Sequence, residues 1–93
     1  MAKYAAEFSP RALEDIQACW PDVAARILRK FRELEDNPFP RGDTVKQLKG
    51  FDRPTYRLRI GDYRAVYRIS GSVVVILRII TRSELERALR YLT

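Results

Sequence analysis

Arg57, Arg59, Arg64 and Arg68 stand within one stretch of this 93-residue chain, Tyr56 to Ile69. A guanidinium stays charged in proteins, and its planar fork grips carboxylate or phosphate oxygens two at a time. What the four can do together depends on where they point. Apolar or aromatic residues alternate with arginines through Tyr56 to Ile60 and, apart from Val66, through Tyr63 to Ile69, the period-two pattern of a strand with one buried face. Gly61-Asp62 between the runs predicts a two-residue hairpin turn. That turn sets Ile60 against Tyr63, Arg59 against Arg64, Leu58 against Ala65, Arg57 against Val66 and Tyr56 against Tyr67. One face then holds Tyr56, Leu58, Ile60, Tyr63, Ala65, Tyr67 and Ile69, and the other Arg57, Arg59, Arg64, Val66 and Arg68.

Like charges facing each other in a ladder are destabilising. Two guanidinium heads about 6 Å apart repel by roughly 0.7 kcal/mol in bulk water and about 3 kcal/mol at an intermediate dielectric. Such a face is relieved when an anion visits it. The alternative is a solvated polar face balanced by acidic neighbours, but acids are scarce here. Residues 41–68 carry eight basic and three acidic side chains, so most of the chain's net charge of +6 sits in the middle, while residues 1–40 net −1. This concentrated basic patch suits a polyanion, most often nucleic acid, or a strongly acidic protein partner.

Composition removes other chemistries. With no histidine and a single cysteine, Cys19, the chain lacks the usual zinc ligands and has no internal disulfide, and no metal or cofactor is expected. Residues 1–93 read as one domain with a modest core. No run is long and apolar enough to span a membrane and no leader resembles a signal peptide, so a cytoplasmic protein is expected.

The elements that must position the arginines follow from hydrophobic period. Lys3 to Phe8 reads as an edge or parallel strand. Ser9-Pro10 opens a helix, with Ser9 at the cap and Pro10 at the first position, and Leu13, Ile16 and Trp20 read as its core stripe. Pro21 opens a second helix whose apolar face is Val23, Ala24, Ile27, Leu28, Phe31 and Leu34, ended by Asn37-Pro38. Residues 39–54 read as a loop clipped to the core by Val45, Leu48 and Phe51, leaving Lys46 and Lys49 beside the basic hairpin. After Ser70-Gly71-Ser72, the nearly continuous apolar run Val73 to Ile80 reads as a central strand buried on both faces. The face of Arg78 within it stays open. Ser83 and Glu86 match a capping box at the start of a last helix marked by Leu85, Ala88, Leu89 and Leu92. The expected fold is α+β: an N-terminal strand, a helical hairpin packed on one face of a mainly antiparallel four-stranded sheet, and a short C-terminal helix. The arginine face should floor a cleft bordered by residues 39–54 and the last helix.

Leu48-Lys49-Gly50, the run Tyr56 to Ile69, the strand Val73 to Ile80 and Thr81-Arg82 resemble the signature of the RelE/ParE toxin superfamily. The resemblance implies a toxin of a type II toxin–antitoxin pair, held in a hetero-oligomer by a cognate acidic antitoxin. In the RelE branch it implies cleavage of mRNA on the ribosome, with 16S rRNA contacts, by attack of the RNA's own 2′-OH on the adjacent phosphate. In the ParE branch it implies inhibition of DNA gyrase without catalysis. The family's basic positions match Arg57, Arg59, Arg64 and Arg82. Thr81 stands where many members have histidine, and Glu86 or Ala88 where many have tyrosine.

In 2′-OH attack the substrate brings the nucleophile, so the protein aligns it, stabilises the charge developing on phosphorus and moves protons. Arg64 and Arg82 are expected to stabilise that charge, and Arg57 and Arg59 to orient the backbone. Lys49, with Lys46 or bound water, is the candidate for proton transfer. Arg68 extends the phosphate-binding face and Tyr91 could stack on a base. A plain DNA- or RNA-binding module is the remaining reading.

Overall fold

The computed structural model describes residues 3–92, and the side chains of residues 3–89. Strand β1 (Ala5–Phe8) is followed by helices α1 (Pro10–Gln17) and α2 (Pro21–Asp36), strands β2 (Val45–Leu48), β3 (Thr55–Ile60), β4 (Tyr63–Ser70) and β5 (Val73–Thr81), and helix α3 (Arg82–Leu92). The five strands form one sheet in the order β1-β5-β4-β3-β2, with β1 parallel to β5 and the other pairs antiparallel. The expected α+β architecture is present, with one strand more than the four anticipated. That strand, β2, comes from the stretch read as a loop.

Local chemistry explains the element boundaries. Ser9 Oγ accepts the N–H of Ala12 at 3.1 Å and so caps α1, while its own hydroxyl donates to the Leu77 carbonyl at 2.9 Å and ties the helix start to β5. After α2, the Asn37 side chain turns back to accept the N–H of Phe39 at 3.1 Å. The buried Tyr67 hydroxyl donates to the Pro38 carbonyl at 2.6 Å, anchoring the chain where it leaves the helix. Gly61 takes φ 56° at the hairpin turn, a left-handed conformation that suits glycine.

The main core lies between the helices and the sheet. Ala12 and Ile16 from α1 and Ile27, Phe31 and Leu34 from α2 pack on Leu58, Ile60, Ala65, Tyr67, Val74, Ile76 and Ile79. This is the anticipated tyrosine and aliphatic face of the hairpin. Three residues assigned to the helical core stripes are instead exposed: Leu13, Leu28 and, most fully, Trp20 at 79 %. Trp20 is the residue before Pro21 and caps α2 with backbone only, so its ring falls outside the amphipathic register of either helix. A smaller cluster of Val66, Ile80 and Leu85, with Leu48, Leu77 and Leu89 against it, fills the other face of the sheet under α3. β5 is therefore apolar on both sides, as its composition requires.

Arg78 is settled by an irregularity. Val66 pairs with Arg78 but Tyr67 pairs with Ile76, so Leu77 is an extra residue and β5 is bulged. Arg78 reaches α1, donating from Nε to Asp15 Oδ2 at 2.8 Å and from Nη2 to Oδ1 at 3.2 Å. The bulge sets Arg78 on the Val66 side of the sheet, but its guanidinium is tied to α1, so it serves the scaffold.

Candidate functional site

The hairpin register is the one expected: Arg59 pairs with Arg64, Arg57 with Val66 and Tyr56 with Tyr67. Arg57, Arg59 and Arg64 thus leave the sheet on the side away from the main core. Arg82 joins them because its backbone N–H donates to the Asp62 carbonyl at 2.9 Å, pinning the start of α3 to the hairpin turn. All four line one cleft of about 350 Å³, with Leu48, Leu85 and Leu89 as its apolar wall and two carboxylates, Asp43 and Glu86, at its border.

The arginines are held in different ways. Arg64 is 9 % exposed, and its Nη1 donates to the carbonyls of Gly61 and Tyr63, both at 2.9 Å. Among the described residues it has no carboxylate ion-pair partner. Burial lowers its guanidinium pKa, and Arg57, Arg82 and Arg59 lower it further, though an arginine remains charged. Arg57, with a side chain 12 % exposed, donates to the carbonyls of Asp43 and Thr44 at 2.8 and 3.2 Å and so also holds that turn. Arg59 bonds Asp43 Oδ2, and Arg82 Nε lies 3.4 Å from Glu86 Oε1. The cleft is a half-neutralised group of cations with one deep, uncompensated guanidinium.

Asp43 was not visible as a site residue in the sequence. Its carboxylate meets Lys46 at 3.0 Å, Arg57 at 3.5 Å and Arg59. Lys46 foremost, then Arg59 and Arg57, hold this carboxyl below the usual carboxylate range. Only its place 14 residues before Arg57 hints at the contact, and such a spacing means nothing until β2 pairs with β3.

The other expected residues are more scattered. Lys46 sits on β2 opposite Arg57 but is engaged with Asp43. Lys49 is exposed just beyond the end of β2 and does not line the cleft. Arg68 donates from Nε to Thr55 Oγ1 at 3.0 Å and lines a separate depression of about 200 Å³ with Phe39 and Arg53. The side chains of Tyr91 and Leu92 lie outside the described ones. Among the described residues, no three His, Cys, Asp or Glu side chains are grouped as a metal site requires.

The capping box is real but shifted by two residues. Thr81 Oγ1 accepts the N–H of Glu84 at 3.2 Å, and Glu84 Oε1 accepts the N–H of Thr81 at 2.9 Å, in place of the anticipated Ser83 and Glu86 pair. Both T-x-x-E and S-x-x-E occur in this sequence, and the backbone bond from Arg82 to Asp62 selects the earlier one. The shift places Arg82 at the first helical position and frees Glu86 to line the cleft. Replacing Thr81 by Ala is expected to cost about 1 kcal/mol, a drop of roughly 4–8 °C in Tm for a domain of this size, read by thermal unfolding.

Comparison with known proteins places this geometry. Residues 6–86 match the family described as the ParE toxin of the type II toxin–antitoxin system parDE. A protein of Methanocaldococcus jannaschii named RelE1 is 35 % identical over 88 residues, covering 88 % of this chain and 92 % of that one. The toxin–antitoxin complex RelE-RelB from Pyrococcus horikoshii contains a chain of TM-score 0.71 and 28 % identity, with 86 % of this chain and 96 % of that one covered. The RelBE2 complex of Mycobacterium tuberculosis gives 0.69 and 29 %, with 86 % and 99 % covered. The fold, the basic hairpin and these likenesses agree: the chain belongs to the RelE/ParE superfamily of type II toxin–antitoxin toxins.

Proposed function

We propose that this toxin is a ribosome-dependent endoribonuclease that cuts mRNA by attack of the substrate's own 2′-OH on the neighbouring phosphate. The observation that carries the reading is the convergence of Arg57, Arg59, Arg64 and Arg82 on one open cleft, with Arg64 buried and, among the described residues, without a carboxylate ion-pair partner. Arg64 and Arg82 stabilise the charge on the pentavalent phosphorus, and Arg57 and Arg59 orient the backbone. Lys46, Lys49 and Arg68 lie outside this cleft and extend the basic surface toward ribosomal RNA. The partner that restrains the toxin is an acidic antitoxin, for which the basic cleft is complementary. The solved RelE relatives are themselves complexes with an antitoxin.

The test is to add purified protein to a translating extract and map mRNA 5′ ends. New cuts within codons at ribosomes are expected. The second reading is gyrase inhibition, favoured by the ParE description of the family match and by Thr81 being engaged in a helix cap instead of facing a substrate. Intact mRNA together with gyrase-dependent loss of supercoiling would establish it and exclude the first.

A further inference from the structure

Transfer of the 2′-OH proton needs a group that the arginines are not. Among the described residues lining the cleft, only Asp43 and Glu86 carry a carboxylate that can take up a proton; the others are arginines and leucines. Asp43 is committed to Lys46, Arg57 and Arg59, three cations that hold it ionised and occupy its oxygens. Glu86 is placed differently. It stands one turn beyond Arg82 on α3, and the cap is made by Thr81 and Glu84, so Glu86 has no capping role. Its one described contact is Oε1 with Arg82 Nε at 3.4 Å, a long bond that leaves Oε2 without a partner among the described residues. Leu85 and Leu89 flank it on the apolar wall of the cleft.

We propose that Glu86 is the general base of this cleft. The inference rests on the endoribonuclease reading and deepens it. The Glu86 carboxylate takes the proton from the 2′-OH as the 2′-oxygen bonds to phosphorus. The P–O5′ bond then breaks, its electron pair leaves with the 5′-oxygen, and that oxygen is protonated by solvent water. The products are a 2′,3′-cyclic phosphate and a 5′-OH end. Arg82 has a double part: it faces the phosphate and, through Nε, aims the carboxylate.

The charged groups facing Glu86 are Arg82 on its own helix, Arg57 and Arg59 from β3, Arg64 from β4 and Asp43 from the turn before β2. The exchange Glu86→Gln keeps an oxygen for Arg82 Nε and removes only the basicity. Because the Glu86 side chain is 59 % exposed, the exchange leaves the core untouched. Single-turnover cleavage of mRNA on programmed ribosomes is measured for wild type, Glu86→Gln and Glu86→Asp, with ribosome binding and product ends followed in parallel. Glu86→Gln is expected to cut about a hundredfold more slowly with ribosome binding and product ends unchanged. Glu86→Asp, which restores a carboxylate, is expected to recover part of that loss. Glu86→Gln cutting within about threefold of wild type, or Glu86→Asp cutting no faster than Glu86→Gln, would overturn this assignment while the endoribonuclease reading stands. A wild type that leaves mRNA intact would overturn both.

Discussion

Arg64→Ala is expected to slow cleavage of ribosome-bound mRNA by about a thousandfold, the upper range for losing one preorganised donor to a developing oxyanion. The reason is that Arg64 is already fixed before substrate arrives. Two backbone carbonyls at 2.9 Å hold Nη1, and burial restrains the rest of the side chain. Little reorganisation remains for the reaction step. Burial and three neighbouring arginines disfavour its charge in the free protein, so a phosphate bearing extra charge in the transition state gains most here. Arg64→Lys separates charge from shape: it keeps the cation, loses the fork, and should retain only part of the activity. The fold should survive both changes. The lost carbonyl contacts cost about 1 kcal/mol each, and removing the cation in Arg64→Ala relieves repulsion from Arg57, Arg59 and Arg82. Rates from primer extension, with circular dichroism as the control, check this. Cleavage by Arg64→Ala close to the wild-type rate would remove Arg64 from the mechanism.

The arginine cleft was legible because a two-residue turn leaves only one register for Tyr56 to Ile69. Once Arg59 is set opposite Arg64, the shared face of Arg57, Arg59 and Arg64 follows from the pleat alone. Arg82 needed the family resemblance, since no local pattern says that α3 starts against the hairpin turn. β2 was missed for a physical reason. Val45-Lys46-Gln47-Leu48 has apolar ends and a polar middle, neither alternating nor continuous, and it becomes a strand through its ladder with β3 at the edge of the sheet. Asp43 was missed with it, because a contact made by strand pairing has no trace in a sequence window. The bulge at Leu77 was equally silent: an unbroken apolar run does not show where one residue is skipped. Trp20 shows the opposite failure, an apolar residue at helical spacing from Ile16 that the break at Pro21 turns out to solvent.

The bulge also carries the largest expected effect on stability. Asp15 on α1 accepts from Arg78 Nε and Nη2 and, through Oδ2, from the backbone N–H of Ile79 at 2.8 Å. One carboxylate thus joins helix to central strand where the ladder slips. Its side chain is 16 % exposed and that of Arg78 36 %, so the pair is only partly screened by water. Asp15→Ala removes the acceptor of three hydrogen bonds and leaves a cation and an amide with reduced compensation. A loss of about 2–3 kcal/mol is expected, or roughly 10–20 °C in Tm. Arg78→Met removes the other partner but leaves Asp15 its bond to Ile79, so it should cost less. The double variant should fall short of the sum of the two, because removing both charges leaves neither one unpaired. Denaturant or thermal unfolding of the four proteins completes the cycle. Strict additivity, or an Asp15→Ala protein as stable as wild type, would show that the bulge stands without this clamp. Neither Asp15 nor Arg78 lines the cleft, so Asp15→Ala assayed well below its Tm should still cut mRNA, which separates the scaffold arginine from those that line the cleft.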